Sequence, residues 1–413
     1  MGDYHPRILA KRLREALADT PVAMLNGARQ TGKTTLVERI ADEQGGRYLT
    51  LDEPTVLDAA LADPVSFIED GAQLTVIDEV QKAPQLLPAI KRAVDRKRRP
   101  GRFLLTGSAD VLALPKVAES LAGRMEVLTL HPLSQAELAG GESRWFDGLF
   151  RNKPTCAVRK AAAQDLVQRM VAGGFPEAVL RKRGERRRAW FDAYVMTIMQ
   201  RDVRDLSNIE GLSSLPRLLE LLAARSGTLL NVAEFGRAAG IPQMTLHRYM
   251  ALLQATFLFQ PLAAWHANLG KRLIKTPKVH LLDSGLACAL LGLGTDSITS
   301  SGHYGWLLET FVLGELRRCA AAMPAPPRIY HYRSAGGVEV DFVIEDAARK
   351  IAGVEVKAAK TVTAKDFSGL TDLSVACGEK FACGVVLYAG EEIVKFGPRL
   401  HAVPTHALWH TGD

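Results

Sequence analysis

Short apolar runs alternate with amphipathic stretches over the first third of the chain. Helical patterns lie between the runs, as over residues 35–41. Buried parallel strands read as nearly continuous apolar runs, and helices connect them along the chain. The pattern therefore predicts an α/β domain with a parallel sheet over residues 1–135. Its predicted strands cover residues 21–26, 47–52, 74–77, 102–108 and 125–130.

The middle of the chain has a different pattern, in which helices predominate. Residues 136–210 read mostly as helices with polar breaks and predict a helical lid or linker. Residues 211–295 contain the order of a winged helix-turn-helix, with helices over 232–239 and 244–253 and a tight turn at Gly240. Winged helices also serve as structural lids or protein contacts, and the sequence leaves that alternative open.

The second helix of this motif has an apolar face and an exposed face. Its apolar face carries Leu246, Met250 and Leu253. In DNA-binding proteins of this kind, the second helix is the one that enters the major groove. The exposed candidates for contact with DNA are Gln243, Thr245, His247 and Arg248.

The last third, residues 296–413, combines strands and helices in another order. A helix over 306–322 comes first, and a later helix near 364–376 precedes a strand that begins at Cys383. Between the helices lie three strand-like runs, over 328–333, 338–344 and 351–357. This αβββαβ order resembles the core of the restriction-endonuclease-like fold.

Charge is distributed unevenly along the 413 residues, whose net charge is +7. Residues 1–150 carry −2, residues 151–295 carry +11 and residues 296–413 carry −2. The densest basic runs are Arg181–Arg183 and Arg186–Arg188. Each run alone is equally well explained as a solvated surface. The excess over the whole segment predicts a nucleic-acid partner, DNA in the first instance, because phosphate contacts dominate such binding.

Composition excludes several classes of protein. No run of about 18 apolar residues occurs, so we expect no membrane span. The first 14 residues are charged and lack the apolar core of a signal peptide. The five cysteines are odd in number and form no CxxC pair, which disfavours a disulfide framework or a zinc site and favours the cytoplasm.

A phosphate-binding loop follows the first predicted strand directly. Residues 27–34 match GxxxxGK[ST], the Walker A pattern, in the required context of strand, loop and helix. Glycines let the backbone approach phosphates, and the N–H groups at the helix start point at the anion. We expect Lys33 to contact the β- and γ-phosphates of ATP and Thr34 to ligate Mg²⁺. The predicted nucleotide-binding residues are Gly27, Ala28, Arg29, Gln30, Thr31, Gly32, Lys33, Thr34 and Thr35.

Two acidic residues end the third predicted strand and indicate hydrolysis. Asp78 is placed to hold the Mg²⁺ coordination shell, and Glu79 is placed to orient or deprotonate a water. Thr106, at the end of the next strand, is a candidate for hydrogen bonding to the attacking water or the γ-phosphate. Arg124 is expected near the carboxyl edge of the sheet, where it would stabilise γ-phosphate charge within the chain or from a neighbouring subunit of a homo-oligomer. An ordinary turn hydroxyl and an ordinary surface arginine are the alternatives for these last two.

A second group of charged residues lies in the last third. Strand side chains alternate, so Glu355 and Lys357 share one face of their strand. Asp341 on the neighbouring strand and Glu309 on the preceding helix complete a predicted Mg²⁺ site, since hard cations favour carboxylates. Lys357 would position or activate a water for attack on a phosphodiester. The alternative is a non-cleaving domain in which these residues form a salt-bridged cluster.

The chain resembles the AAA-type P-loop ATPases, on the strength of residues 27–34, Asp78-Glu79 and the polar strand end at 106–108. Nearly its full length also resembles the prokaryotic AAA-type ATPases that carry a C-terminal domain of unknown function. The motifs that carry this wider resemblance are SLAGRMEVLTLHPLS (120–134), GGFPEA (173–178), QRDVRDL (200–206) and PKVHLLDSGLA (277–287).

Together these features predict a Mg²⁺-dependent ATPase with four parts, over 1–135, 136–210, 211–295 and 296–413. In the first interpretation, ATP hydrolysis is coupled to DNA binding or processing through the winged helix and the nuclease-like C-terminal domain. In the alternative, the protein is an ATP-dependent regulatory or assembly switch. Its C-terminal domain then binds a partner and is not a nuclease.

Overall fold

The chain folds into two compact units. The structure is a computed structural model, and it describes residues 4–69, 71–108, 121–154, 163–203, 214–268 and 276–409. The first unit consists of Pro6–Pro132 and Ala251–Leu258, and the second contains Leu133–Met250 and Phe259–Asp413. Within the described ranges, none of the helices combines the length and the apolar character that crossing a bilayer requires.

A five-stranded parallel sheet forms the centre of the first unit. The strand order is β2-β3-β4-β1-β5, so β1 lies between β4 and β5. All five residues of β1 are buried, as expected for a central strand covered on both faces. The strands are β1 (Val22–Asn26), β2 (Arg47–Thr50), β3 (Thr75–Asp78), β4 (Phe103–Gly107) and β5 (Met125–Thr129).

Amphipathic helices pack against this sheet. Leu86, Leu87, Ile90 and Val94 of the fifth helix are all buried, and they join Val22 in one core cluster. Their spacing of three to four residues places them on one face of the helix. The helices are α1 (Leu9–Asp19), α2 (Lys33–Gln44), α3 (Pro54–Ala62), α4 (Pro64–Ile68) and α5 (Leu86–Arg96), with a 3₁₀ turn at Val80–Lys82.

Helices predominate between residues 135 and 290, as the sequence predicts. They are α6 (Gln135–Leu138), α7 (Trp145–Phe150), α8 (Ala163–Ala172), α9 (Pro176–Val179), α10 (Gly184–Thr197), α11 (Leu215–Ala224), α12 (Val232–Ala239), α13 (Gln243–Ala255) and α14 (Ser284–Leu290). A π-helical turn at Ile198–Asp202 follows α10.

The segment predicted as a winged helix contains two successive helices and a paired extended segment. Gly240 ends α12 in the left-handed conformation, which glycine adopts at low cost. Leu246, Met250 and Leu253 of α13 are buried, whereas Gln243, His247 and Arg248 are exposed and Thr245 is half-buried. Antiparallel bridges then join Phe259 to Leu281 and Leu262 to Lys278.

A mixed six-stranded sheet forms the C-terminal part of the second unit. Its strand order is β10-β11-β9-β8-β7-β6. The pairs β6–β7, β7–β8 and β10–β11 are antiparallel, and β8–β9 and β9–β11 are parallel. The strands are β6 (Arg328–Arg333), β7 (Glu339–Glu345), β8 (Ile351–Lys357), β9 (Phe381–Tyr388), β10 (Val394–Gly397) and β11 (Leu400–Pro404).

Two helices accompany this sheet, α15 (Tyr304–Ala321) and α16 (Ser368–Cys377). The order of elements from α15 to β9 is helix, three strands, helix and strand, as the sequence predicts. The last pair, β10 and β11, was not predicted. Short 3₁₀ turns lie at Ile298–Ser300, Ala364–Phe367, Gly378–Lys380 and Thr405–Leu408.

A buried ionic network explains two of the sequence motifs structurally. The Arg318 guanidinium donates to Asp283 at 2.9 Å and to Glu315 at 2.6 Å, with all three residues at most 7% exposed. Asp283 also accepts the backbone N–H of Gly174 at 2.8 Å. A Cβ at Gly173 would lie 2.0 Å from a carboxylate oxygen of Asp283, so glycine is required there. The carboxylate of Asp283 therefore joins two sequence motifs, GGFPEA (173–178) and PKVHLLDSGLA (277–287).

The structure divides the chain between Pro132 and Leu133, three residues before the predicted division at 135. Apart from Ala251–Leu258, the middle and C-terminal parts belong to the second unit. The predicted divisions at 210 and 295 stay predictions, and most of the QRDVRDL motif, residues 204–206, lies outside the described residues.

Candidate functional site

The predicted phosphate-binding loop joins β1 to α2 in a conformation that requires glycine. Gly27 has φ +147°, and a Cβ there would lie 2.3 Å from the carbonyl oxygen of Leu130. Gly32 has φ +91° and directly precedes α2. The loop therefore wraps tightly, and the first N–H groups of α2 face its concave side, as in an anion site.

Side chains fix this loop from within and from outside. The Lys33 ammonium donates to the carbonyl oxygens of Gly27 and Ala28, both at 3.0 Å, and is almost wholly buried. The Arg7 guanidinium donates to the carbonyl oxygens of Thr31 and His131, both at 2.6 Å. The lysine is thus held over the loop where a phosphate would bind. Of the remaining predicted loop residues, Arg29 is half-buried, and Gln30 and Thr35 are exposed.

Asp78, at the end of β3, is the centre of a hydrogen-bonded group. Its Oδ2 accepts the hydroxyls of Thr34 and Tyr48, both at 2.9 Å, and its Oδ1 accepts the hydroxyl of Thr106. Burial and the Asp78 carboxylate raise the pKa of Tyr48, so the phenol stays protonated and continues to donate. Three neutral donors therefore orient the carboxylate of Asp78 without cancelling its charge.

Glu79 follows in a strained backbone conformation. Its φ of +59° and ψ of +45° are left-handed, an unusual conformation for a residue with a side chain. Its N–H donates to Thr106 Oγ1 at 3.0 Å, and its Oε2 accepts the hydroxyl of Ser108 at 2.9 Å. Gln81 also donates to Glu79 Oε2. Such strain concentrates at functional sites, where the surrounding contacts hold it in place.

The residues present fit a nucleotide with Mg²⁺. Thr34 and Asp78 supply the oxygen ligands that Mg²⁺ prefers, with their side-chain oxygens 2.9 Å apart. Beside them, Gln81 Oε1 is buried and has no hydrogen-bond partner among the described residues, so it is available to a ligand or water. Lys33 and the start of α2 supply the positive groups for phosphates.

The structure corrects the expected position of Arg124. This residue precedes β5, and its carbonyl oxygen accepts the N–H of Val22 at the start of β1. It therefore lies at the amino edge of the sheet, a five-residue strand of about 16 Å away from the phosphate-binding loop. Its guanidinium pairs with Asp95 at 2.6 Å. Arg124 therefore lies too far from the phosphate-binding loop of its own chain to act there, and that part of the prediction is wrong. A role of Arg124 at the nucleotide site of a neighbouring subunit stays a prediction.

The four charged residues predicted in the C-terminal part do come together. Asp341 on β7 and Glu355 on β8 are neighbours, because the N–H of Asp341 donates to Glu355 Oε2 at 3.3 Å. The Lys357 ammonium donates to Glu355 Oε1 at 2.9 Å, so these two share a face as predicted. Glu309 reaches the group from α15.

A fifth residue, Lys278, lies at the centre of this group. Its ammonium is 3.1 Å from Asp341 Oδ1 and 3.2 Å from Glu309 Oε2, and the residue is only 3% exposed. Burial opposes its charge, but Asp341 and Glu309 raise the pKa of Lys278 above its usual value. Burial and Asp341 raise the pKa of Glu309 to about 8 and that of Glu355 to about 7. We call Lys278, Glu309, Asp341, Glu355 and Lys357 the C-terminal cluster.

The structure does not assemble the predicted metal set of Glu309, Asp341 and Glu355. Among the described residues, no group of three His, Cys, Asp or Glu side chains has the arrangement that holds a metal ion. The physical reason is that the Lys278 ammonium lies between Glu309 and Asp341. The residues do not fit a divalent ion in this arrangement.

Sequence reasoning missed four residues of these sites, namely Arg7, Tyr48, Gln81 and Lys278. The short pattern V-H-L-L that follows Lys278 is a weak signal for a buried strand-like segment, in which an ammonium requires an acidic partner. Arg7 and Tyr48 carry no comparable local signal, because each reaches its partner only through the fold.

Three family models match successive parts of the chain. Residues 19–139 match the AAA domain, residues 163–297 a domain of unknown function (DUF8612), and residues 304–408 another domain of unknown function (DUF4143). An uncharacterized protein of Mycobacterium tuberculosis is 32% identical over 411 residues, which cover 98% of this chain and 85% of that protein. An uncharacterized protein of Mycobacterium bovis matches with the same values. The chain belongs to the family of these mycobacterial proteins.

With the loop geometry and the AAA match, the chain is an AAA-type P-loop ATPase. Solved structures give more distant likenesses. A Walker-type ATPase of Pyrococcus abyssi is 14% identical, with 70% of this chain and 99% of that chain covered and a TM-score of 0.44. The RuvB Holliday junction branch migration motor of Thermotoga maritima is 17% identical, with 61% and 88% covered and a TM-score of 0.28.

Proposed function

We propose that this AAA-type ATPase hydrolyses ATP with Mg²⁺ and couples hydrolysis to DNA binding through residues 151–295. The observation that carries the ATPase part is the arrangement around Asp78, whose carboxylate is oriented by Thr34, Tyr48 and Thr106. Bound Mg²⁺, held by Thr34 and Asp78, would neutralise phosphate charge. Glu79, with its carboxylate fixed by Ser108, would orient the attacking water and accept its proton.

Several basic side chains support a phosphate-binding surface in the middle segment. Arg186 and Arg188 are exposed on α10, and Lys182 is exposed just before it. Lys182, Arg183, Arg187 and Arg188 line one cavity of about 780 Å³. Arg187 is partly committed, because it donates to the carbonyl oxygens of Ala178 and Arg181 at 3.1 and 2.8 Å. Arg186 and Arg188 are therefore the arginines of this run best placed for DNA phosphates.

The helix α13 supports the same proposal. Its Gln243, His247 and Arg248 are exposed, whereas Leu246, Met250 and Leu253 are buried. A winged helix in this segment would place these three polar side chains toward the major groove. The cytoplasmic location and a homo-oligomer, in which Arg124 acts on a neighbouring subunit, belong to this proposal as well.

A second candidate function is favoured by one observation. Lys278 neutralises the carboxylates on which DNA cleavage would depend. On this view the protein is an ATP-dependent regulatory or assembly switch, and its C-terminal domain binds a partner and does not cut DNA.

One assay separates the two candidates. ATP hydrolysis is measured with and without double-stranded DNA, and DNA integrity is read from the same tube. Stimulation by DNA supports coupling, and cleavage that needs a divalent ion supports the nuclease interpretation. If the rate of ATP hydrolysis is the same with and without DNA, and the DNA stays intact, the regulatory or assembly switch is favoured.

The DNA surface is tested by changing Arg186 and Arg188 to alanine together. Log affinity for DNA plotted against log salt concentration should lose about 0.9 of slope for each phosphate contact removed. The matched control is Lys97→Ala with Arg98→Ala, which removes the same charge from exposed positions in the first unit. An equal loss of slope in both variants would contradict a specific surface on α10.

A further inference from the structure

We infer that the Lys278 ammonium is the resident cation of the C-terminal cluster and that the cluster binds no divalent ion while Lys278 is in place. This goes beyond the proposed ATPase, because it assigns an occupant to a site that the αβββαβ resemblance would give to Mg²⁺. It also predicts that lysine and metal exclude each other at one position.

The distances support direct replacement of a metal by the ammonium. Lys278 Nζ lies 3.2 Å from Glu309 Oε2 and 3.1 Å from Asp341 Oδ1, both within the range of N–H···O hydrogen bonds. A divalent ion bound by the same two oxygens would lie at about 2.0–2.6 Å from each, in the same gap. Two cations cannot share that gap, because their repulsion in a buried site is strong.

The other oxygen of Asp341 and both oxygens of Glu355 are also engaged. Asp341 Oδ2 accepts the N–H of Val356 at 2.9 Å, and Glu355 accepts the N–H of Asp341 at 3.3 Å. The other oxygen of Glu355 accepts the Lys357 ammonium at 2.9 Å. Two ammonium groups thus lie among the three acidic residues, and their positive charge opposes the binding of Mg²⁺.

The backbone that carries Lys278 is itself fixed. Lys278 N–H donates to the carbonyl oxygen of Leu262, and Leu262 N–H donates back, both at 2.9 Å. Gly227 N–H donates to the carbonyl oxygen of Val279 at 2.7 Å. Two residues further on, His280 Nδ1 is 3.1 Å from the hydroxyl of Thr310, which follows Glu309 on α15. The ammonium is therefore held in the cluster by paired backbone and by a second contact to the same helix.

The test is direct binding of Mn²⁺ to the full-length protein without nucleotide, measured by calorimetry and by the electron paramagnetic resonance of free Mn²⁺. All proteins carry Thr34→Ala, which removes the hydroxyl ligand of the nucleotide site. With Lys278 present, we expect no Mn²⁺ binding that depends on Asp341. With Lys278→Met added, we expect one Mn²⁺ bound at least about tenfold more tightly, because Glu309 and Asp341 lose the cation that lies between them.

The matched control is Lys357→Met, which removes the outer ammonium of the cluster and should change Mn²⁺ affinity much less. Two results would overturn the inference. One is Mn²⁺ binding with Lys278 present that is lost on Asp341→Asn. The other is a folded Lys278→Met protein, verified by thermal melting, that binds no more Mn²⁺ than its parent. If Lys278→Met does not fold, the measurement with Lys278 present decides alone. None of these results depends on ATP hydrolysis, so a failure here is distinct from a failure of the proposed function.

Discussion

The nucleotide site and the C-terminal cluster both place a carboxylate on a strand beside other polar groups, but they treat its charge differently. Asp78 is held by the neutral hydroxyls of Thr34, Tyr48 and Thr106. Asp341 is held by the Lys278 ammonium and a backbone N–H. Neutral donors orient a carboxylate without neutralising its negative charge, so the carboxylate can still bind a metal ion. A buried ammonium neutralises that charge. The acidic residues alone do not distinguish these cases.

Backbone strain gives a second difference. Glu79 adopts a left-handed conformation, held by Thr106 and Ser108. Glu355 lies inside the regular strand β8. Strain of about 1–3 kcal/mol persists only where surrounding contacts enforce it, and it often marks a residue that acts on a substrate. The comparison thus favours Glu79, and not Glu355, as a residue that handles water.

The largest expected effect is on nucleotide chemistry. Lys33→Ala should reduce ATP hydrolysis by roughly 10²–10³-fold or more and abolish ATP binding, because it removes the buried ammonium that faces the phosphates. Fluorescent-nucleotide binding and phosphate release measure these effects. Lys82→Ala, which removes a lysine paired with Asp52 on the surface, is the control. Normal ATP binding by Lys33→Ala would mean that the loop assignment is wrong.

The next effect separates binding from chemistry. Glu79→Gln should retain ATP binding but lower kcat by about 10²–10⁴-fold, since a neutral amide cannot accept a proton from water. Ser108→Ala, which removes one of the two side-chain donors to Glu79 Oε2, should lower kcat less. Equal loss of binding and turnover in Glu79→Gln would indicate a structural role.

The third effect concerns the stability of the second unit. Lys278→Met should lower the free energy of unfolding by about 3–5 kcal/mol, because it leaves buried carboxylates without their cation. Lys357→Met should cost about 1 kcal/mol or less, since that lysine is partly exposed. Urea denaturation measures both. Similar losses of unfolding free energy in the two variants would contradict the central role of Lys278 in the cluster.

The fourth effect is a pH dependence of the same unit. Glu309 and Glu355 have folded-state pKa values of about 8 and about 7, raised from 4.5. The folded state therefore retains protons that the unfolded state releases, and this contribution to stability is complete below pH 4.5. It is lost as the pH rises through 7 to 8. Glu309→Gln should flatten the dependence in urea denaturation between about pH 5 and about pH 9. An unchanged slope would contradict the raised pKa of Glu309.

Local sequence was sufficient for features built from consecutive residues. The loop from Gly27 to Thr34 and the acidic pair Asp78–Glu79 follow buried strands, and the structure places Lys33, Thr34 and Asp78 together. The alternation of β8 was also sufficient to bring Glu355 and Lys357 onto one face. Arg124 was misplaced although it directly precedes a strand of the predicted parallel sheet, and a residue before a parallel strand lies at the amino edge of the sheet.

The sequence by itself determined a phosphate-binding loop in a parallel α/β domain, a helical and basic middle and a C-terminal part with the order αβββαβ. These follow from periodicity, local motifs and composition, which act over a few residues. Only the tertiary structure decided what neutralises the C-terminal carboxylates. Lys278 is 63 residues from Asp341 along the chain, and their contact exists only because paired backbone carries the lysine to that sheet. An ion pair between such distant residues depends on the fold and leaves no periodic trace in the sequence.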